Sequence, residues 1–262
     1  MDTTTKANRK YSKQIPVYIY DNADAASTHV AKQIVDLIRK KSERGECPVL
    51  GLATGSTPLP VYRELIKLYR NNKISFQNVI TFNLDEYYPI EPSTRQSCAA
   101  YMYDNLFNHI DIKEKNIHIP SGNLNRDEIA EYCRNYENKI VDHGGIDLQL
   151  LGIGRTGHIG FNEPGSVMNS NMRAVKLDKL TREDAADDFM GEENVPRQGI
   201  TMGVSTILGA DKIILMAWGK HKANIVAQLV EDNISKHVPA TFLQEHSNAE
   251  VILDKSAACK LT

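Results

Sequence analysis

The sequence predicts an α/β fold, a single domain organised around a mostly parallel central sheet. Short apolar, β-branched runs alternate along the chain with amphipathic helical stretches, the pattern of repeated strand–helix units. Several of those runs end in glycine, hydroxyl or acidic residues, as strands do at the ligand-binding carboxyl edge of a parallel sheet. The chain has 262 residues, 41% hydrophobic and 24% charged, enough for a substantial core. No linker, internal repeat or low-complexity segment divides it.

Residues 1–14 (MDTTTKANRKYSKQ) read as a polar, flexible extension, and residues 15–262 as the domain. Residues 16–20 (PVYIY) are β-branched and aromatic, hence a strand. Over 25–43, Val30, Ile34, Val35, Leu37 and Ile38 recur at helical spacing. Residues 48–53 (PVLGLA) form a second strand and 60–71 a second helix, with Val61, Leu65, Ile66 and Leu68 inward. Residues 79–83 (VITFN) form a third strand, with 84–88 (LDEYY) the loop beyond it. Residues 95–108 are helical, 116–119 extended, and 127–141 an amphipathic helix closed by Gly144 and Gly145. His143 there is a solvated last-turn residue. Residues 147–151 are a strand, 173–177 strand-like, and 181–189 a short acidic helix. After a turn at 190–196 come an extended 199–202, a helical turn at 204–208 and the strongly apolar strand 212–217 (KIILMA). A helix at 223–230, a brief one at 239–243, a strand at 250–253 and the start of a helix at 255–261 complete the chain.

The chemistry concentrates where strands end. Residues 148–164 (LQLLGIGRTGHIGFNEP) run from an apolar strand into Gly152, Gly154, Gly157 and Gly160, with His158 and Glu163 among them. Too few residues separate His158 from Glu163 to build another element, so both line one pocket; the plainer alternative is a glycine-rich turn with a solvated histidine. Thr54, Gly55, Ser56 and Thr57 lie between a strand and a helix that opens with Pro58 and Pro60. Hydroxyls and free N–H groups at a helix N-terminus make a phosphate or carboxylate cradle, although the same residues serve an ordinary capped βα connection. The nucleotide-binding pattern G-x-x-x-x-G-K-[ST] is absent. Asp85 and Glu86 follow the third strand: either they face the active edge, or one caps a helix and the other is solvated. Lys220 and Lys222 open a helix after strand 212–217, as an anion contact or as solvated lysines.

Composition excludes several classes. The net charge is −2 with no basic block, which argues against nucleic acid and against an anionic membrane surface. No apolar stretch reaches membrane-spanning length, and the N-terminus lacks the hydrophobic region of a signal peptide. Cys47, Cys98, Cys133 and Cys259 are scattered without C-x-x-C spacing, as free thiols in a reducing cytoplasm are, rather than a disulfide framework or a zinc site.

Three stretches together, A-T-G-S-T-P at 53–58, T-F-N-L-D-E-Y at 81–87 and G-I-G with G-H-I-G-F-N-E-P over 152–164, resemble the glucosamine-6-phosphate deaminase (isomerase) family. Their order and spacing match over nearly the whole chain. The resemblance implies a Rossmann-like three-layer sandwich and conversion of glucosamine 6-phosphate and water to fructose 6-phosphate and ammonia. It implies no metal or organic cofactor, a small amino-sugar phosphate as ligand, and homo-oligomeric assembly. It makes Asp85 the base that moves a proton between C2 and C1, and His158, oriented by Glu163, the group that opens the sugar ring. The phosphate falls to Gly55, Ser56 and Thr57, with Thr54, Gly152 and Gly154 lining the pocket and Lys222 as the charged partner.

The chain also departs from the family's pattern. Thr156 stands where an aspartate is frequent, leaving Glu163 to orient His158 alone. The segment 183–189 (EDAADDF) is acidic where a phosphate-binding arginine belongs, which leaves Arg182 or Arg197 to substitute. Cys98 takes a position that is usually aromatic. Arg173 matches one residue of the family's allosteric site while Val175 replaces its lysine partner, so that form of activation is not expected. This pattern resembles a divergent branch in which the deaminase-like region is the N-terminal part of a longer chain. Two alternatives accompany the deaminase reading: a sugar-phosphate lactonase of similar fold, which needs no C2 proton shuttle, and a binding or sensing domain without turnover, which needs none of Asp85, His158 and Glu163.

Overall fold

The structure is a computed structural model that describes residues 15–262; the expected extension at 1–14 lies outside the described residues. The strands are β1 (Val17–Tyr20), β2 (Val49–Leu52), β3 (Ile80–Asn83), β4 (Asp85–Tyr88), β5 (Ile117–His118), β6 (Leu148–Leu151), β7 (Arg173–Lys176), β8 (Gln198–Thr201), β9 (Ile213–Ala217) and β10 (Ala249–Asp254). The helices are α1 (Ala23–Glu43), α2 (Leu59–Arg70), α3 (Cys98–Asn105), α4 (Ile129–Asp142), α5 (Lys179–Ala185), α6 (Val204–Leu208) and α7 (Ala223–Glu231). None is long and apolar enough to cross a membrane.

Seven strands form a sheet in the order β1–β10–β9–β6–β2–β3–β5, every pair parallel. Successive side chains of a strand point to opposite faces, so a run that is apolar throughout feeds two cores. Ile214 and Met216 of β9 join Leu50, Leu52, Leu148 and Leu150 under α1 and α2. Ile213 and Leu215 join Phe82, Leu151 and Val251 under α4 and α7. The result is the three-layer, Rossmann-like sandwich that the strand–helix alternation and the family resemblance imply.

The sheet's topology fixes where a ligand can enter. From β2 the chain moves to β3 and β5 on one side, and later returns to β6 on the other. Connections diverge between β2 and β6, and the crevice at their carboxyl ends is the switch point where open α/β sheets bind ligands.

A second, antiparallel sheet, β4–β8–β7, covers that crevice. Residues 84–88 are therefore largely strand and not the expected loop, because the aromatic D-E-Y-Y run finds β8 as a partner. The change of sheet happens at Leu84, whose N–H donates to Leu52 O (3.0 Å) and whose carbonyl accepts Met202 N–H (2.7 Å). Residues 255–261 also differ from expectation, forming turns instead of a helix. Asp254 draws the chain back there, its Oδ1 accepting from Ala257 N (2.7 Å) and from Gly219 N (3.0 Å). The acidic helix α5 starts two residues earlier than its composition suggests, because Asp178 caps it by accepting Leu180 N–H at 2.8 Å.

Tyr136 on α4 closes the end of β3 nearest the switch point. Its buried hydroxyl lies 2.9 Å from Asn83 O and 3.0 Å from His118 O. Tyr136→Phe leaves both carbonyls short of a donor while preserving shape, and should lower stability by about 1–2 kcal/mol in urea unfolding. A midpoint equal to that of the unsubstituted chain would show that this tie carries no weight.

Candidate active site

The four strand-end segments singled out in the sequence meet around one cavity of about 340 Å³, lined by residues that include Thr54–Thr57, Asp85, Gly152, Gly154, His158 and Lys222. The loops after β2 and β6 touch directly, since a Cβ on Gly152 would sit 3.7 Å from the Thr57 side chain. Glu163 stands behind His158, outside the lining.

The loop after β2 ends in α2, whose N-terminus has no side-chain cap. The capped-connection alternative therefore fails, and the helix start remains open toward the cavity with the positive end of its dipole. Two contacts hold the loop: Tyr101 OH donates to Gly55 O (2.6 Å) and Trp218 Nε1 donates to Thr57 O (2.8 Å). Beside it, Lys222 is half-buried, and its Nζ donates to Ile153 O at 2.8 Å. Burial holds this ammonium below its ordinary pKa, nearby Asp184 raises it, and Arg155 lowers it.

Asp85 is the first residue of β4, 6% exposed and paired in register with Thr201. Burial, and then the charge of Glu86, push its carboxyl from 3.8 up to about 7. Glu86 points the other way, into the protein. It takes backbone N–H groups from Tyr87 (2.9 Å), Cys98 (2.8 Å) and Ala99 (2.9 Å). Each reading of the D-E pair is met in part: Glu86 caps a helix and Asp85 faces the cavity, but both are buried and neither is solvated.

His158 lies flat over Gly154, where a Cβ would come within 2.1 Å of the ring; any larger residue would displace the imidazole. Its Nδ1 is 3.2 Å from Glu163 Oε2, 3.0 Å from Thr156 Oγ1 and 3.2 Å from Thr181 Oγ1. Glu163 does not orient the ring alone, as the loss of the family's aspartate had implied, because two hydroxyls share the task. Nδ1 is engaged by these oxygens, and Nε2 has no protein partner among the described residues. Burial raises the Glu163 pKa, but hydrogen bonds from His158, Thr181 and Asp178 N–H, with the charge of His158, outweigh it, and the net direction is down. Gly160, at φ +55°, brings this loop against Asp85: a Cβ there would lie 3.2 Å from Asp85 Oδ2 and 2.9 Å from Thr201 Oγ1.

Sequence reasoning missed Thr181, Asp184 and Asp188, the cavity wall contributed by α5 and the turn after it. Their spacing of three to four residues was the available signal. Neither Arg182 nor Arg197 lines the cavity. Arg182 is taken by Glu192 at 2.8 Å and by Leu177 O at 2.9 Å, and Arg197 is exposed. Arg155, from the glycine-rich loop, instead pairs with Asp184 at 2.9 Å. Among the described residues lining the cavity, Lys222 is the basic side chain. Arg173 is held by Asn162 Oδ1 (3.0 Å) and Ser166 Oγ (3.2 Å). No group of three or more His, Cys, Asp or Glu among the described residues is placed to hold a metal ion.

A parallel α/β sheet with a buried carboxyl and a carboxylate-paired imidazole at its switch point is the arrangement of an α/β enzyme. The chain belongs to the glucosamine-6-phosphate isomerases/6-phosphogluconolactonase family, which it matches over residues 21–253. Deaminases are among its relatives. It is 49% identical over 213 residues to glucosamine-6-phosphate deaminase of Clostridium novyi, covering 81% of this chain and 88% of that one. It is 45% identical over 250 residues to a glucosamine-6-phosphate deaminase-like protein of Bacteroides thetaiotaomicron, covering 95% of this chain but spanning only 38% of that relative's length. Among solved structures, a monomeric glucosamine-6-phosphate deaminase superposes with a TM-score of 0.89 at 42% identity, over 93% of this chain and 99% of that one. A 6-phosphogluconolactonase from Thermotoga maritima shares the fold at a TM-score of 0.69 and 23% identity, over 91% of this chain and 98% of that one.

The buried Asp85 carries a cost to stability. An acid whose pKa folding raises favours the folded state fully below its unfolded pKa, and loses that contribution as pH rises through the folded value, here about 7. Asp85→Asn should therefore match the unsubstituted chain near pH 4 and exceed it near pH 8, by up to about 4 kcal/mol. Thermal unfolding at the two pH values checks this; a pH-independent difference would contradict it.

Proposed function

We propose that the chain converts glucosamine 6-phosphate and water to fructose 6-phosphate and ammonia. The observation that carries this reading is the convergence, on one cavity, of a buried carboxyl near pKa 7 and a carboxylate-backed imidazole beside an anion loop. A hydrolytic lactonase has no use for a second, separately tuned base, and a sensor has no use for either. The deaminase relatives support the same choice. The cavity also carries both signs, Lys222 against Asp184 and Asp188, as an amino-sugar phosphate does.

In this mechanism the phosphate rests on Gly55, Ser56 and Thr57 at the open end of α2, with Lys222 as its cation and Thr54, Gly152 and Gly154 shaping the wall. His158 takes the proton from O1 and returns it to O5, opening the ring, while Glu163 holds Nδ1 and stabilises the transient imidazolium. Asp85, as the carboxylate, removes the C2 proton and returns it to C1. As this happens the substrate's ammonium gives up one proton and O1 takes one up, so C1 becomes a hydroxymethyl group and the C2–nitrogen bond an iminium. Water then adds at C2, its proton passes to nitrogen, and ammonia leaves as the C2 carbonyl forms. Acid–base help of this kind is worth roughly 3–5 kcal/mol of barrier at each step. The sugar's stereochemistry and homo-oligomeric assembly are further parts of the proposal. The family resemblance supports assembly, whereas the relative at 42% identity is described as monomeric; sedimentation velocity distinguishes the two. A cytoplasmic location is proposed with them, supported by the free thiols of Cys47, Cys98, Cys133 and Cys259.

The direct test is incubation with glucosamine 6-phosphate and assay of fructose 6-phosphate and ammonia; sugar-phosphate binding without product would favour the sensor. Asp85→Asn should abolish ammonia release while leaving binding largely intact. In the unsubstituted chain, kcat/KM should fall below about pH 7, as Asp85 takes up a proton and can no longer act as a base. His158→Gln should slow the cyclic substrate far more than an open-chain analogue, and equal losses on both would remove His158 from ring opening.

A further inference from the structure

Glu86 is among the most deeply buried charged residues of the fold, 1% exposed, and the mechanism above does not use it. Its carboxyl accepts three backbone N–H groups, with the Cys98 thiol as a further side-chain partner, which is the pattern of an ionised carboxylate. Two of them come from Cys98 and Ala99, the first residues of α3. The next free N–H, Ala100, is taken by the Ser97 hydroxyl at 2.9 Å. Glu86 and Ser97 together thus satisfy the start of α3, whose dipole favours the negative charge.

The far side of α3 reaches the anion loop. Tyr101 OH donates to Gly55 O at 2.6 Å, and Cys98 Sγ lies 3.6 Å from Thr54 Oγ1. One path of contacts therefore runs from β4 through the Glu86 carboxylate and α3 to the loop after β2. Its first residue is the neighbour of Asp85, and its last are the residues assigned to the phosphate.

We propose that Glu86 is the positioning residue of this site, a fixed anion that holds α3, and through it the anion loop, at a set distance from Asp85. The proposal rests on the deaminase reading and extends it. Glu86 contacts no substrate; it acts through α3 on binding and through its charge on Asp85. The other titratable groups that sense Asp85 are Tyr87 on β4, Cys98 on α3 and Tyr136 on α4, each pushed upward by burial and so neutral. Glu86 is then the one fixed charge that faces Asp85 from these elements. Burial holds the pKa of Glu86 above its ordinary value, and the N–H groups of Cys98, Ala99 and Tyr87, with the Cys98 thiol, offset part of that rise.

Glu86→Gln and Glu86→Asp in the full chain test this. Two readouts are needed: kcat and KM for glucosamine 6-phosphate across pH, and the protonation midpoint of Asp85 by infrared difference titration. The Asp85 band is the one lost in Asp85→Asn, so the second readout requires no turnover. Glu86→Gln should raise KM about tenfold and lower the Asp85 midpoint by about one pH unit, because a neighbouring negative charge is gone. Glu86→Asp should keep the midpoint within a few tenths of a unit, since the charge stays, and still raise KM, since the shorter arm cannot span both ties. A midpoint equal in all three proteins, or a KM unchanged in Glu86→Gln, overturns the proposal. If Glu86→Gln does not fold, Glu86→Asp decides: an unchanged KM or a midpoint displaced by a full unit overturns it. If the unsubstituted chain releases no ammonia, the deaminase reading fails, while the infrared midpoints, and the affinity for glucosamine 6-phosphate measured by calorimetry in place of KM, still decide the role of Glu86.

Discussion

The site depends on Leu84, a residue with no chemistry of its own. Its N–H is bonded to β2 in the parallel sheet, and its carbonyl to Met202, just past β8 of the antiparallel one. Both polar groups of one buried residue are thereby satisfied in two different sheets, and the chain crosses from one to the other without a loop. Asp85 follows immediately. Its position over the β2–β6 crevice is a consequence of backbone hydrogen bonding, which tolerates little drift. The same antiparallel pairing places Thr201 opposite Asp85, and its hydroxyl accepts Phe161 N–H at 3.1 Å, fastening the histidine loop to the same seam.

On that frame, surroundings turn two similar carboxylates into unlike groups. Glu86 sits among three backbone donors at a helix start, while Asp85 has no side-chain hydrogen bond among the described residues to offset its burial. The first is surrounded by donors to its carboxylate; the second is pushed up to about 7, chiefly by burial. Destabilisation by Asp85 is the kind of cost that functional sites impose on a fold that is otherwise well packed. His158 illustrates the reverse strategy. Three oxygens fix its Nδ1, of which only Glu163 is charged, so orientation is over-determined while the charge beside the imidazole stays at a single carboxylate.

The anion side of the cavity is economical in cations. Asp184 is paired with Arg155 from the glycine-rich loop, and Lys222 and the residues before the uncapped start of α2 line the cavity. Backbone N–H groups are well suited to this work, because they are preorganised and need no side-chain ordering.

Much of this was legible in the chain itself. Uninterrupted apolar runs such as residues 212–217 signalled strands buried on both faces, and helical spacing located α1, α2 and α4 within a few residues. The glycines at 152, 154, 157 and 160, together with His158, Glu163 and the D-E pair, marked the site, because such groups have few uses at strand ends other than ligand contact. The second sheet was not legible, since β4, β7 and β8 are each four residues long and acquire strand geometry only by pairing with one another. Nor were the two hydroxyls that join Glu163 on His158, those of Thr156 and Thr181, since position 181 reaches the loop only when α5 folds over it. The sequence by itself determined the layers, the switch-point loops and the reacting groups, because periodicity and residue chemistry are local properties. Tertiary structure alone decided which of Asp85 and Glu86 faces the cavity, that Thr156 shares in holding His158, and that Arg155 rather than Arg182 pairs with Asp184. Those outcomes depend on burial and on distances between segments remote in the chain, which no local pattern encodes.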